Sequence, residues 1–476
     1  MSAVIPADAV RDAYDVAVIG AGPAGLSAAT HCARAGLSTV LFDEQGDPGG
    51  QIYRGIMRVP ASRRTLLGED YAQGAALAEA FKASGAQYLA GASVWSVSKE
   101  REIGVSIGGA ARLTQARRIV IATGALERPM PIPGWTLPGV MTVGAAQILL
   151  KTSGLVPSGR VVLAGCGPLL YLFAWQLLRA GRAPAAILDT TDPAARSKAM
   201  GHLAAFVFSR YFVKGASLMW AVRRQVRIVR GVTALAVKGD GRASTIEFEH
   251  AGGRDSLAVD TVLLHQGVVP NVNLAHSIGI EHRWDEVQLA FVPVLDEDGT
   301  SAVDGIAIAG DGAGIAGAWA AEDRGTLAAI AAARALQAPK PAALPDENTV
   351  RQRLHQNLAA RRFVDLMYRP AARFRQPTGD TLVCRCEEIT AQQIRGTVAL
   401  GCTGPNQMKA FLRCGMGPCQ GRYCGLTVTE LMAAERGVSP QEVGYYRLRP
   451  PIKPVTVAEL AALPQTEASV KAVVRG

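Results

Sequence analysis

Aromatic residues are scarce in this 476-residue chain, at 6%, so its cores have to be packed with aliphatic side chains. Charge is thin too, at 19%, against 49% hydrophobic residues and 51 glycines, which suits large cores and many tight turns. An uninterrupted apolar run is missing. The stretch 161–181 is long enough to span a bilayer, but Gly165-Cys166-Gly167-Pro168 breaks it into strand, turn and helix. The stretch 202–222 carries Arg210 and Lys214 mid-run, which lipid penalises, and reads as a sticky surface helix. No basic segment followed by an apolar stretch and a cleavage site opens the chain. A cytoplasmic location is expected, with a peripheral seat at the inner face of the membrane as the alternative.

The net charge of +10 and pI near 9.3 lack an uninterrupted basic tract or any nucleic-acid motif, so no nucleic-acid partner is expected. The densest part, 351–375, sets seven arginines against Asp365 and reads as a docking surface for an acidic partner or a solvated face.

Cysteine is scarce as well, eight in all, and no CxxC occurs, which argues against thiol–disulfide reduction. Cys32 and Cys166 read as small buried residues. The other six crowd between Cys384 and Cys424. In a cytoplasmic chain such a crowd is made of thiols, thiolates or metal ligands.

The segment 14–45 reads as β-α-β: an apolar run, Gly20-Ala21-Gly22-Pro23-Ala24-Gly25, a helical pattern, and a second strand ending at Asp43. Gly20 permits the tight turn, Gly22 lets the backbone approach a pyrophosphate, and Gly25 allows close helix–strand contact. The helix N-terminus offers free N–H groups to phosphates. Asp43 is placed to take ribose hydroxyls, while Glu44 reads equally well as a ligand group or a solvated acid. A second β-α-β, 159–192, begins Gly165-Cys166-Gly167-Pro168 but has Leu170 at the third glycine position, which pushes helix and strand apart. Whether it takes NAD(H), another nucleotide or nothing stays open. His265 falls where the returning chain could meet a flavin ring, and reads better as a packed or surface histidine.

With GGQIY (49–53), IVIATGALERPMPIPG (119–134) and GIAIAGDGAGIAGAWAAEDRG (305–325) added, the chain resembles the two-dinucleotide-binding flavoproteins, the superfamily of glutathione and thioredoxin reductases. The resemblance implies an α/β fold and FAD held by Gly20, Ala21, Gly22, Ala24, Gly25, Asp43, Glu44, Gly50, Gln51, Val94, Thr123, Gly124, Gly310 and Asp311. It implies a discontinuous FAD-binding domain, 12–150 and 255–335, around a degenerate NAD(P)-binding-like domain, 155–254. A basic helical linker would follow at 336–380.

Composition changes at about 380. Thr390-x-x-Gln393 can cap a short helix ending before Gly401, Pro405 can begin another through Leu412, and Thr427-x-x-Glu430 a third. Short helices make a poor core for so small a module, so a bound metal would supply much of its stability. Zinc and iron–sulfur both suit four thiolates. The arrangement resembles the helical 2Fe-2S domain related to bacterioferritin-associated ferredoxin. That implies Cys384, Cys386, Cys419 and Cys424 as ligands in a domain 381–445, with a tail at 446–476. Cys402 and Cys414 are left over and read as noncoordinating.

In this order of parts nearly the whole chain resembles the FAD-containing A or alpha subunits of heteromeric opine oxidases, hydrogen cyanide synthase and proline or hydroxyproline dehydrogenases. The resemblance implies an electron-transfer subunit containing FAD and a 2Fe-2S cluster, in an enzyme for CH-NH or CH-NH2 donors. The amine would be oxidised on a flavin-containing, sarcosine-oxidase-like beta subunit, with a quinone or other electron acceptor and a further small subunit. No general-base or substrate-carboxylate constellation stands out, so no catalytic residue is assigned. The alternatives are a self-sufficient NADH-dependent flavin/iron–sulfur reductase and a structural subunit whose cofactors never change redox state.

Overall fold

The apolar run ending at Ile19 becomes the inner strand of a parallel sheet because helices and strands cover both its faces; Val16, Ala17 and Val18 are fully buried. A computed structural model describes residues 5–464. Its first sheet runs Gln87–Ala90, Thr39–Asp43, Ala13–Ile19, Ala110–Ile121, with Ile306–Ile308 closing the far side, all parallel. The long strand Ala110–Ile121 also pairs antiparallel with Glu102–Ile107, and that with Ser93–Val97. Helices Pro23–Arg34 and Ala318–Ala335 cover one face through a core rich in alanine, as the aromatic-poor composition leads one to expect.

The second unit repeats the plan with a five-stranded parallel sheet: Ile228–Arg230, Ala186–Asp189, Val161–Cys166, Thr261–Gln266, Val140–Thr142. A three-stranded antiparallel sheet follows it. The boundaries 155 and 254 therefore need correction. Strands Val140–Thr142 and Thr261–Gln266 belong to the second sheet, since Thr261–Gln266 takes its hydrogen bonds from both Val161–Cys166 and Val140–Thr142. An apolar run announces a strand but not the sheet that receives it. The crossing back is the antiparallel pair Ala125–Glu127 with Val268–Pro270.

The C-terminal module packs helices Ala391–Ala399, Pro405–Leu412 and Gly425–Arg436 around one small core. The first has the anticipated capping box of Thr390 and Gln393. The third does not start at Thr427: Thr427 is buried inside it, Thr429 bonds the Gly444 carbonyl, and Glu430 turns inward to pair with arginines. The module also reaches past 445, because Tyr446 and Leu448 lie in its core. The tail expected from 446 is thus part module and part strap, and its residues beyond 464 lie outside the described residues.

Three polar contacts lock the module to the rest. Glu430, 2% exposed, pairs with Arg128 (3.4 Å) and with Arg375. Trp135 Nε1 donates to the Leu382 carbonyl at 2.8 Å. The linker helix Glu347–Met367 and the turn after it are no free basic surface: Arg351, Arg353, Arg361, Arg369 and Arg375 all pair with acids of this chain. The reading of 351–375 as a docking or solvated face is corrected accordingly; most of those charges clamp the linker in place.

Candidate functional site

The first glycine turn shows why its spacing matters. A Cβ on Gly25 would sit 1.8 Å from the Gly20 carbonyl oxygen, so only glycine lets helix Pro23–Arg34 lie this close to its strand. A Cβ on Gly22 would meet nothing within 4 Å: this residue faces open space, the cradle a phosphate would fill. Around it the chain gathers four distant segments. Gly50 packs on Gly22, where an added Cβ would come within 2.6 Å of the Gly22 Cα. Gly310 lies against Ala24, and Gly312 approaches Gly124. Thr123 Oγ1 donates to the Asn271 carbonyl at 3.4 Å. Asp311 Oδ1 accepts from Ala316 N and Gly317 N (2.8 and 3.0 Å), which stiffens the loop before helix Ala318–Ala335.

Asp43 stands at the end of its strand, where Oδ2 accepts from Ala21 N (2.6 Å) and Oδ1 from Gln45 N (2.7 Å). Burial pushes its carboxyl up while these N–H groups pull it back down. Val94 and Gln51 differ in their setting. The Val94 side chain, 4% exposed, is packed in the core beside the sheet. The Gln51 side chain is exposed; its carbonyl accepts from the buried Lys151 at 3.1 Å. Burial pushes that lysine down to about 7.

Sequence reasoning missed the strap that closes this end of the cleft. Ile452 N donates to the Trp95 carbonyl at 2.9 Å, and Lys453 pairs with Glu44 beside Asp43. The C-terminal segment thus runs across the strand ends where the sequence places the adenosine half of a dinucleotide. Nothing local in that segment announces such a contact.

The second glycine turn is built alike and filled differently. A Cβ on Gly167 would meet His265 Nε2 at 2.9 Å, where Gly22 has open space. His265 is buried, with Nδ1 2.6 Å from Glu127 Oε1, so it packs in the second unit rather than beside the first turn. Asp189, the acid ending the second strand, is taken by the Tyr171 hydroxyl (2.7 Å), Thr191 N (2.9 Å) and Arg196 (3.5 Å). Cys166 Sγ donates to the Tyr368 carbonyl of the linker at 3.5 Å, and Leu170 is fully buried. The chain's own groups occupy the places where ribose and phosphate would bind.

The C-terminal thiols form two groups. Sγ atoms of Cys384, Cys414 and Cys424 all lie within 4.8 Å of one another and are buried. Cys386 and Cys419 are 3.9 Å apart, Sγ to Sγ, nearer the surface. A pocket of about 220 Å³ is lined by Cys384, Cys386, Cys419 and Cys424 with Arg385 and Tyr423. Cys414, which the spacing leaves over, is brought to the group by the fold, behind the pocket wall and near the Tyr446 hydroxyl. Cys402 stays apart, bonded to the Gly404 carbonyl. Hydrogen bonds from Cys414 and Cys424 hold the Cys384 thiol down to about 2. Three buried sulfurs close together, with two more thiols at the mouth, are a donor set suited to a thiophilic metal centre. A Cβ on Gly417 would come 2.2 Å from that of Cys386, so glycine there lets the two ligand loops close on each other.

Residues 14–335 match the model of the pyridine nucleotide-disulphide oxidoreductase family, and 378–463 that of the sarcosine oxidase A3 domain. The chain belongs to the pyridine nucleotide-disulphide oxidoreductase family. Within it, the chain falls with the A subunits of opine oxidases: it is 48% identical to the one from Rhizobium meliloti, covering 99% of this chain and 91% of that one. Hydrogen cyanide synthase subunit HcnB of Pseudomonas aeruginosa is 30% identical over 92% of this chain and 96% of its own. Among solved structures, L-proline dehydrogenase from P. horikoshii shares the fold, with a TM-score of 0.70 over 94% of this chain and 79% of that one at 20% identity. As a member of this family the chain is a flavin oxidoreductase. No helix among the described residues is long and apolar enough to cross a membrane.

Proposed function

We propose that this chain is the electron-transfer subunit of a heteromeric dehydrogenase for an amino or imino acid of the opine, proline/hydroxyproline or glycine class. In this reading the amine is oxidised on a flavin-containing beta subunit, while electrons leave to a quinone or another acceptor. The observation that carries it is one chain presenting both an open dinucleotide cradle at Gly22 and a pocket walled by four thiols. The buried Arg128–Glu430–Arg375 pairings tie the C-terminal module to the rest of the chain, which supports a relay between the two sites. FAD and an iron–sulfur cluster, when bound, supply the two-electron and one-electron chemistry.

The chain's own residues do the holding. Gly20 to Gly25 and the helix they open would receive the pyrophosphate, Asp43 a ribose, and the Thr123–Gly124 and Gly310–Asp311 loops the rest of the FAD. Cys384, Cys386, Cys419 and Cys424 would hold iron, with Cys414 behind them. The self-sufficient NADH reductase loses support, because His265 sits against Gly167 and the Tyr171 hydroxyl takes Asp189.

The test is iron and sulfide analysis with low-temperature EPR on protein purified without oxygen and reduced with dithionite. The expected result is about two irons and two sulfides per chain. Zinc without iron in an anaerobically reconstituted sample removes the relay and leaves a structural subunit.

A further inference from the structure

Between Asp192 and Asp240 the chain has no acidic residue and nine basic ones. This stretch carries the short helix Leu203–Val207 and the longer helix Arg210–Arg223, and it is where the surface turns apolar. Of the 17 large hydrophobic side chains exposed among the described residues, six lie here: Met200, Val207, Phe208, Phe212, Val213 and Trp220. Phe208 is 92% exposed, Val213 72% and Trp220 61%.

That exposure is not the mark of a loose segment. The inner side is well anchored: Phe206 stacks on Phe363 with ring centres 4.4 Å apart, and Tyr211 packs on Trp319 at 5.3 Å. Lys214 pairs with Asp70, and Val222 is fully buried. On helix Arg210–Arg223 the residues Val213, Ala216 and Trp220 follow one another at three and four positions, so they share an outward stripe that runs on to Arg224. The Arg224 guanidinium lies over the Trp220 ring, 4.4 Å from its centre.

A cationic helical face with Trp and Phe at its crest is the pattern of a helix lying in a bilayer interface. Aromatic rings sit at headgroup depth, and each Lys or Arg nearby adds attraction to anionic lipid. A protein partner is the competing occupant, since Trp, Phe, Met and Arg are also enriched at protein interfaces; the absence of any acidic residue between Asp192 and Asp240 favours an anionic surface. We propose that the segment 198–224 is a docking surface for an anionic lipid bilayer, with Phe208, Val213 and Trp220 inserted and Lys198, Arg223 and Arg224 over the headgroups. The proposal goes beyond electron transfer and does not depend on which cofactors the chain carries.

The experiment is co-sedimentation of the full chain with phosphatidylcholine vesicles, with and without phosphatidylglycerol, followed by Trp220 quenching with brominated lipid. Binding is expected only with phosphatidylglycerol, weakening as salt rises. The variant Phe208→Ser/Val213→Ser/Trp220→Ser changes exposed side chains only, so it keeps its circular dichroism and melting point, and its vesicle partition should fall at least tenfold. Equal binding to neutral vesicles, no binding to anionic ones, or unchanged binding by the triple variant each overturns the proposal. So does a triple variant that still binds vesicles but no longer assembles with its partner chain, since the patch is then a subunit interface. None of these results bears on iron content, so this proposal and the electron-transfer reading fail separately.

Discussion

Replacing Glu430 by alanine tests the docking of the C-terminal module most directly. Glu430 lies in the middle of helix Gly425–Arg436 and is all but fully buried, and so is its partner Arg128. Arg128 has other acceptors, the Gln288 and Leu289 carbonyls at 2.7 and 2.9 Å, but these are neutral. Burial pulls both Arg128 and Arg375 down to about 10, so both are cations at neutral pH. At 3.4 Å and an effective dielectric near 20, one guanidinium–carboxylate pair is worth about 5 kcal/mol of gross attraction. Desolvation offsets much of that in the intact protein. The variant recovers nothing from the arginines, which stay buried and unneutralised, so the expected loss is about 3–5 kcal/mol. Hydrogen exchange of the helix Gly425–Arg436 amides reads this as local opening, and protection should fall by about two to three-and-a-half powers of ten. Glu430→Gln, which keeps the acceptor without the charge, should fall between. If Glu430→Ala costs less than tenfold in protection, the ion pairs do not hold the module and the reasoning fails.

The two glycines of the first turn should separate folding from binding. Gly25→Val drives the helix from the strand and should cost about 4 kcal/mol or more together with all nucleotide, whereas Gly22→Ala should leave the thermal midpoint unchanged and weaken nucleotide binding at least about tenfold by equilibrium dialysis. Lys151 has a folded pKa of about 7 against 10.5 ordinarily, so its burial costs stability progressively as pH falls from 10.5 through 7, and fully below. In nucleotide-free protein Lys151→Met should therefore stabilise by up to about 5 kcal/mol at pH 6 and by almost nothing near pH 10.5; a gain that does not change with pH sinks this account. Cys414→Ser should keep about two irons per chain while Cys419→Ser loses them, and the reverse pattern would move Cys414 into the ligand set.

Sequence alone determined what is local. The first β-α-β with its glycines, the strand–turn–helix that breaks 161–181, the capping box at Thr390 and the helix Pro405–Leu412 all follow from spacing and propensity within a few residues. The crowding of thiols after Cys384 was legible as composition. The chain alone could not say which sheet takes Thr261–Gln266, because pairing is decided by edges that other segments supply. Nor could it show that His265 fills the second turn while Gly22 stays open, since GxG reads the same in both and the difference is a side chain about 100 residues on. Cys414 joined Cys384 and Cys424 only once the loops had closed, and Lys453 reached Glu44 only through the path of the strap. The same holds for the apolar crest at Phe208 and Trp220. Its hydrophobicity is in the sequence, but its exposure was decided when Phe206 and Tyr211 took the inward side.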